Sequence, residues 1–173
     1  VAGTSSSMAQ EAAAGIDRAL AWLRNALPSC AKIVMTADHG LVDYVERDLY
    51  TITPADPLVR LCEHEPWGTG RTMIFACKQD STAEFEDQFR ERFQKAFFLL
   101  TFEEVKNLGL YGPTPMSPVT ERRIGTHMAI SRGAWLLEYD YPKIRHEKQY
   151  DNEPISQHGG LTPTEMLVPL VVA

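Results

Sequence analysis

The stretch Lys32-Ile33-Val34-Met35-Thr36-Ala37-Asp38-His39-Gly40 decides how the chain is read. From Ile33 to Thr36 it is apolar and rich in β-branched residues, as a short strand covered on both faces is. It ends on a carboxylate and an imidazole side by side. Open α/β sheets place their ligands at the carboxyl ends of strands, and Gly40 lets the backbone turn sharply enough for Asp38 and His39 to face one ion. The plain alternative is a turn in which Asp38 caps a helix and His39 lies on the surface.

Upstream, residues 5–27 read as a helix. Ser7 and Gln10 have the spacing of a capping box. Met8, Ala12, Ile16, Leu20, Leu23 and Leu27 recur at three- and four-residue steps, giving one apolar stripe. Asp17, Arg18 and Arg24 fall off that stripe, and Pro28 closes the helix. A helix, a turn and an apolar strand predict an α/β layer with a buried, parallel strand.

Downstream the texture changes. Arg71–Lys78 alternates as a strand, and Thr82–Lys95 reads as a helix with Phe85, Phe89 and Phe93 as its core stripe. Phe97–Thr101 is a strand, and Thr101 with Glu104 caps a short helix that stops at Gly109. Residues 124–131 and 134–140 look like a hairpin around Arg132-Gly133, and the proline-rich Tyr111–Pro118 is an ordered connection. Near the end, Thr162-Pro163-Thr164-Glu165 carries a capping Thr, a Pro at the first helical position and a Glu at the third. Leu167–Val172 follows as an apolar strand with Pro169 suited to an edge or a strand start. That strand is expected to return to the first layer. Residues 1–55 and 155–173 then form an α/β core, and residues 56–154 an α+β insert.

Composition narrows the function classes. The 173 residues carry 17 Lys and Arg against 23 Asp and Glu, a formal charge of −6. That balance argues against a broad nucleic-acid footprint. Small phosphate-bearing substrates stay open, because a metal ion can supply positive charge locally. No apolar run approaches the roughly 20 residues of a membrane helix. Cys30, Cys62 and Cys77 form no CxxC pair, which points to reduced thiols and a cytoplasmic location.

The second chemical signal is Gln157-His158-Gly159-Gly160-Leu161-Thr162, a histidine ahead of two glycines and a capped helix. Alone it reads as a flexible glycine turn. Together with Asp38 and His39, however, it supplies two His and one Asp, the ligand types of zinc or a similar transition metal.

IVMTADHGLVDY, followed far downstream by QHGGLTPTEMLVPLVV, resembles the alkaline phosphatase superfamily, above all its type I phosphodiesterase/nucleotide pyrophosphatase branch. LLTFEEVKNLGLYGP and RIGTHMAISRGAWLLEY extend the likeness across the insert. The resemblance implies the carboxyl-terminal part of an alkaline-phosphatase-like central sheet with helices, carrying a cap-like insert. It implies two divalent metal ions, zinc in most members, a metal-activated Ser or Thr that attacks phosphorus, and water that releases the product. By motif position Asp38 and His39 look like ligands of the metal that activates the nucleophile, and His158 like a ligand of the other. The substrate implied is a phosphate-ester small molecule, with a nucleotide as one candidate.

The departure from the pattern is as informative. The family's nucleophile, the Asp beside it and its Asp-x-x-x-His pair have no counterpart here, and the pair would fall just upstream of Gly3. Thr4, Ser5, Ser6 and Ser7 read as a loop and helix cap. No catalytic residue is therefore assigned in this chain. The expectation is the tail of a longer protein whose nucleophile lies upstream of Val1, with little hydrolase activity and weak metal binding by itself. The rivals are a PglZ-like or phosphomutase relative, and a non-catalytic binding or assembly module of the same shape. His64 and His127 are expected at the surface or an interface, and His146 in solvent. Trp67 is read as a loop anchor ahead of a substrate-entrance residue, and Arg71, Arg122, Arg123 and Arg132 mostly as a solvated face.

Overall fold

The computed structural model of the chain describes residues 3–45, 48–113, 115–141 and 155–173. Helices and strands are interspersed along it. They begin with α1 (Ser7–Ala26), β1 (Val34–Thr36), β2 (Val42–Asp43), β3 (Leu49–Ile52), α2 (Pro57–Arg60), β4 (Trp67–Thr69) and β5 (Thr72–Phe75). Next come α3 (Thr82–Phe93), β6 (Phe97–Thr101), α4 (Phe102–Asn107), α5 (Pro118–Ile124), β7 (His127–Ser131) and β8 (Leu136–Tyr139). The chain ends with β9 (Ser156–Gln157), α6 (Pro163–Met166) and β10 (Leu170–Val172). Two compact units result: Val1–Tyr44 with Tyr150–His158 and Thr162–Ala173, and Val45–Gln149 with Gly159–Leu161.

In the first unit the last strand does return to the first layer. The pairing of β1 with β10 is antiparallel, however, with Val34 opposite Val172 and Thr36 opposite Leu170. The predicted burial fails too: Val34 is 65% and Leu170 71% exposed. Continuous apolarity records how much burial a strand is built for, and a two-stranded ribbon has no layer of its own to supply it. The same holds for α1. Its apolar stripe is present, yet none of its residues is buried, and Met8 and Trp22 are 68% and 70% exposed. Its cap is Ser6 and not Ser7: the Ser6 hydroxyl accepts from the Ala9 amide at 3.2 Å. Three successive serines offer the same hydroxyl, so only the backbone selects the one that caps.

The second unit covers its own apolar surface. Strands β4, β5, β7 and β6 lie in that order in an antiparallel sheet. One face packs Met73, Phe75, Phe97 and Ala129 against Phe85, Phe89 and Phe93 of α3, the stripe expected from the sequence. The other packs Ile74, Met128 and Ile130 against Val105 of α4 and Ile124 of α5. Helices on both faces explain why Met73 through Cys77 are all buried despite their alternating pattern. The capping box at Thr101 and Glu104 forms as read, the Thr101 amide donating to the carboxylate at 2.7 Å.

One expected pairing is overturned. Residues 124–131 and 134–140 form no hairpin. β7 is held between β5 and β6, while β8 pairs in parallel with β3, Leu49 opposite Leu136 and Ile52 opposite Tyr139. The Gly133 turn links two strands of different sheets. Arg71 helps to fix that turn from inside, donating to the Ser131 hydroxyl at 2.8 Å and the Trp135 carbonyl at 2.9 Å. It is 1% exposed, which corrects its expected place on a solvated face.

Candidate functional site

Two short antiparallel ladders assemble the site in the first unit. β1 delivers the chain into Asp38-His39-Gly40, and β2 then pairs with β9, Val42 opposite Gln157 and Asp43 opposite Ser156. Continued by one residue, this register sets His158 opposite Leu41, on the same side of the strand as His39. The two imidazoles accordingly stack, ring centroids 3.6 Å apart and planes 13° from parallel. Asp43 secures the ladder: one oxygen accepts from the Ser156 hydroxyl at 2.7 Å and the other from the Thr4 hydroxyl at 3.0 Å. Those contacts, the Ser156 one first, hold the Asp43 carboxyl below its usual range.

The backbone leaves no freedom at Gly40. Its amide donates to the Glu165 carbonyl at 2.8 Å. A Cβ there would stand 1.9 Å from the Thr164 carbonyl oxygen. α6 is capped at this point, Thr162 and Glu165 forming the capping box read from the sequence, with Glu165 2% exposed. The two motifs that stood out in the sequence are therefore packed directly on each other.

The local geometry at Asp38 and His39 suits a cation. His39 Nδ1 lies 2.8 Å from the Gly40 carbonyl oxygen, so that nitrogen carries the proton and Nε2 presents its lone pair. A backbone carbonyl on the far ring nitrogen is the usual orienting partner of a ligating histidine. Asp38 Oδ2 lies 3.5 Å from His39 Nε2, while Oδ1 accepts from the His39 amide at 2.9 Å. Donors about 2.0–2.1 Å from a tetrahedral zinc stand roughly 3.4 Å from each other. Asp38 is exposed and ionised: the His39 amide, its own amide and the nearby imidazoles hold its pKa below the ordinary carboxylate value. Asp38 and His39 could thus supply two of the four donors a tetrahedral ion takes. Among the described residues no group of three or more His, Cys, Asp or Glu is disposed to hold one metal ion.

The other sequence candidates are dispersed. His64 is exposed beside Trp67, ring centroids 4.9 Å apart. Trp67 is an anchor, its indole donating to the Arg123 carbonyl at 3.3 Å. Arg122 and Arg123 are exposed as expected, and Arg132 lies over the Phe98 ring at 3.7 Å. His146 falls outside the described residues. His127 is the correction: it is 2% exposed in the central strand of the second unit, between Cys77 and Glu86. The alternation of β7 put it on a core face, but only the pairing with β5 showed what it meets there. No helix among the described residues is long and apolar enough to cross a membrane.

No family model matches the chain, and no curated protein matches it. Solved structures do. Human ectonucleotide pyrophosphatase/phosphodiesterase 5 aligns over 98% of this chain and 42% of its own, at TM-score 0.65 and 14% identity. The murine protein aligns over 90% and 39%, at TM-score 0.61 and 14% identity. Phosphonoacetate hydrolase from Sinorhizobium meliloti, bound to phosphonoformate, aligns over 90% and 38%, at TM-score 0.61 and 24% identity. The chain spans about two fifths of the length of the solved chains it matches. The fold is that of these solved structures, the architecture that the resemblance implies.

Proposed function

We propose that the chain is part of a metal-dependent phosphodiesterase/nucleotide pyrophosphatase-like hydrolase acting on phosphate-ester small molecules, nucleotides among them. Asp38 and His39 would hold one of two divalent ions, zinc by donor type, and His158 would belong to the second. The ions would lower the pKa of an oxygen nucleophile and stabilise charge on the phosphoryl oxygens. This chain's share is positional. The Gly40 carbonyl holds the His39 tautomer, the Glu165 carbonyl holds Gly40, and the β2–β9 ladder brings His158 alongside.

The observation that carries the reading is the 3.5 Å approach of Asp38 Oδ2 to His39 Nε2, with Nδ1 pinned to a carbonyl. The remaining donors and a Ser or Thr nucleophile are assigned to a further part of the same protein, which would also cover α1 and β1.

The test has two arms. The 173-residue chain, titrated calorimetrically with zinc, is expected to bind weakly and to lose that binding in Asp38→Asn and His39→Ala. A longer form carrying the upstream residues is expected to hydrolyse bis(p-nitrophenyl) phosphate. Asp38→Asn or His158→Ala should each lower its turnover more than about a hundredfold, since even outer-shell partners of a metal are worth 10- to 100-fold. Zinc binding indifferent to both substitutions, or turnover by the 173-residue chain abolished by His158→Ala, would overturn the assignment. One observation favours a second reading, a non-catalytic module of the same shape: no three-donor cluster lies among the described residues. A longer form that binds zinc at Asp38 yet hydrolyses neither monoester nor diester would decide for it.

A further inference from the structure

The second unit holds a buried polar cluster of its own, away from the motifs. Cys77 continues from β5 and forms an isolated antiparallel bridge with Cys62, which follows α2. The Glu63 amide donates to Ala76 at 2.8 Å and the Lys78 amide to Leu61 at 2.9 Å. These bonds flank the two cysteines, so Cys62 and Cys77 are a non-hydrogen-bonded pair. Such pairs have the closest side chains, with Cα atoms about 4.5 Å apart, inside the range that a disulfide spans. Both thiols are free and buried.

Cys77 has a second partner. Its Sγ lies 3.4 Å from His127 Nδ1, and His127 Nε2 lies 3.2 Å from Glu86 Oε1. Glu86 is in turn paired with Arg90 at 2.6 Å. Thr126 holds the ring from the side, its hydroxyl 2.9 Å from Nδ1 and accepting from the Cys77 amide at 2.8 Å. Cys62 Sγ instead donates to the Leu58 carbonyl at 3.4 Å. One sulfur thus faces an imidazole backed by a carboxylate, while the other keeps its proton on a carbonyl. A core packed only for apolar burial has no need of this asymmetry.

We propose that Cys62 and Cys77 are a modification site, a thiol pair that a hydroperoxide oxidises to a cross-strand disulfide with Cys77 as the attacking sulfur. The Cys77 thiolate attacks one oxygen of hydrogen peroxide and the O–O bond breaks. The departing hydroxide takes the proton held on His127 and leaves as water, with sulfenic acid on Cys77. The Cys62 sulfur then attacks the Cys77 sulfur, the S–O bond breaks, and the second water carries away the Cys62 proton. Two thiols and one peroxide give one disulfide and two waters. The electrostatics agree: the neighbouring Cys62 thiol and the His127 imidazole hold the Cys77 thiol well below its usual value, against its burial. Cys62 is pushed up by Cys77 and by burial. Cys77 is 3% and His127 2% exposed, so a bulky substrate has no access. A reagent of nearly water size enters through the local openings by which core amides exchange.

The site is independent of the proposed hydrolase function, and its test does not use activity. The chain carrying Cys30→Ser, which removes the exposed thiol, is exposed to hydrogen peroxide and quenched in denaturant with iodoacetamide. The expected product is 2 Da lighter than the untreated chain and unalkylated, and trypsin releases the peptide starting at Leu61 joined to the one ending at Lys78. Full alkylation of both cysteines under conditions that consume free cysteine would overturn the proposal. Adding Cys62→Ala should stop the reaction at a sulfenic acid on Cys77, which dimedone added with the denaturant traps. Dimedone on Cys62 in the Cys77→Ala chain, with none on Cys77 in the other, would overturn the assignment of the attacking sulfur. Glu86→Gln, at a side chain 21% exposed, should slow disulfide formation at acid pH, by up to about tenfold for each unit the Cys77 pKa rises. Of the charged groups there, His127 bears on Cys77 directly and Lys78 on Cys62, while Glu86, paired with Arg90, bears on His127. An unchanged rate would remove the carboxylate from the scheme.

Discussion

Phe89 and Ile16 occupy the same kind of position, an apolar site on the inward stripe of a helix, with opposite outcomes. Phe89 is fully buried against Phe75, whereas Ile16 is 54% exposed. The second unit closes on itself because its sheet has a helix layer on each face. The first unit has the same apolar periodicity and no opposing layer among the described residues. Periodicity states which face a helix would bury, and burial itself needs a surface to meet. It is the uncovered unit that holds Asp38, His39 and His158.

The largest effect that separates the units is at these two side chains. Phe89→Ala is expected to cost about 3–5 kcal/mol in urea unfolding, as buried Phe truncations do. Ile16→Ala should stay within about 0.5 kcal/mol, and equal costs would show that α1 is covered after all. Next, Gly40→Ala forces the strand end off the Thr164 carbonyl. A cost of about 1–3 kcal/mol is expected, read by amide exchange as lost protection in the first unit with the second unchanged. Global loss of protection would mean that the units do not open separately.

Smaller still, Thr101→Ala removes a capping box from the second unit and should cost about 1 kcal/mol, measured by the same unfolding curves. The smallest effect is acid-dependent. Arg92 donates to both Asp56 oxygens at 2.7 Å, and those bonds, with the Leu58 amide, hold the Asp56 pKa low against partial burial. The folded value lies below the unfolded one, so the pair stabilises above about pH 4 and its contribution disappears as pH falls through the lowered value. The drop between pH 6 and pH 2 should exceed that of Arg92→Ala by no more than about 1 kcal/mol, as partly exposed pairs are worth. An identical acid profile in Arg92→Ala would show that the pair contributes nothing.

Local signals were read well wherever the physics is local. The Thr101 and Thr162 capping boxes need only residues three apart, and the Phe85, Phe89 and Phe93 stripe needs only the helical period. The last strand's return to the first was also legible, through two apolar segments and the motifs beside them. What failed involved partners distant in sequence. The β7–β8 hairpin looked sound because a Gly turn separates two strands, yet β8 pairs with β3, far upstream in the chain. His127 looked like a surface residue because its pairing with Phe75 and its approach to Glu86 arise only in the folded sheet.

By itself the sequence determined the types of the longer elements, the Thr101 and Thr162 caps and the motif that puts an Asp and a His at a strand end ahead of an obligatory glycine. These follow from backbone sterics, side-chain hydrogen bonds and periodicity, which act over a few residues. Only the tertiary structure decided that the first strand pair is antiparallel and uncovered, that His39 stacks on His158, and that Cys77 lies between Cys62 and His127. Register and opposing layers set these, and both depend on residues that become neighbours only when the chain has folded.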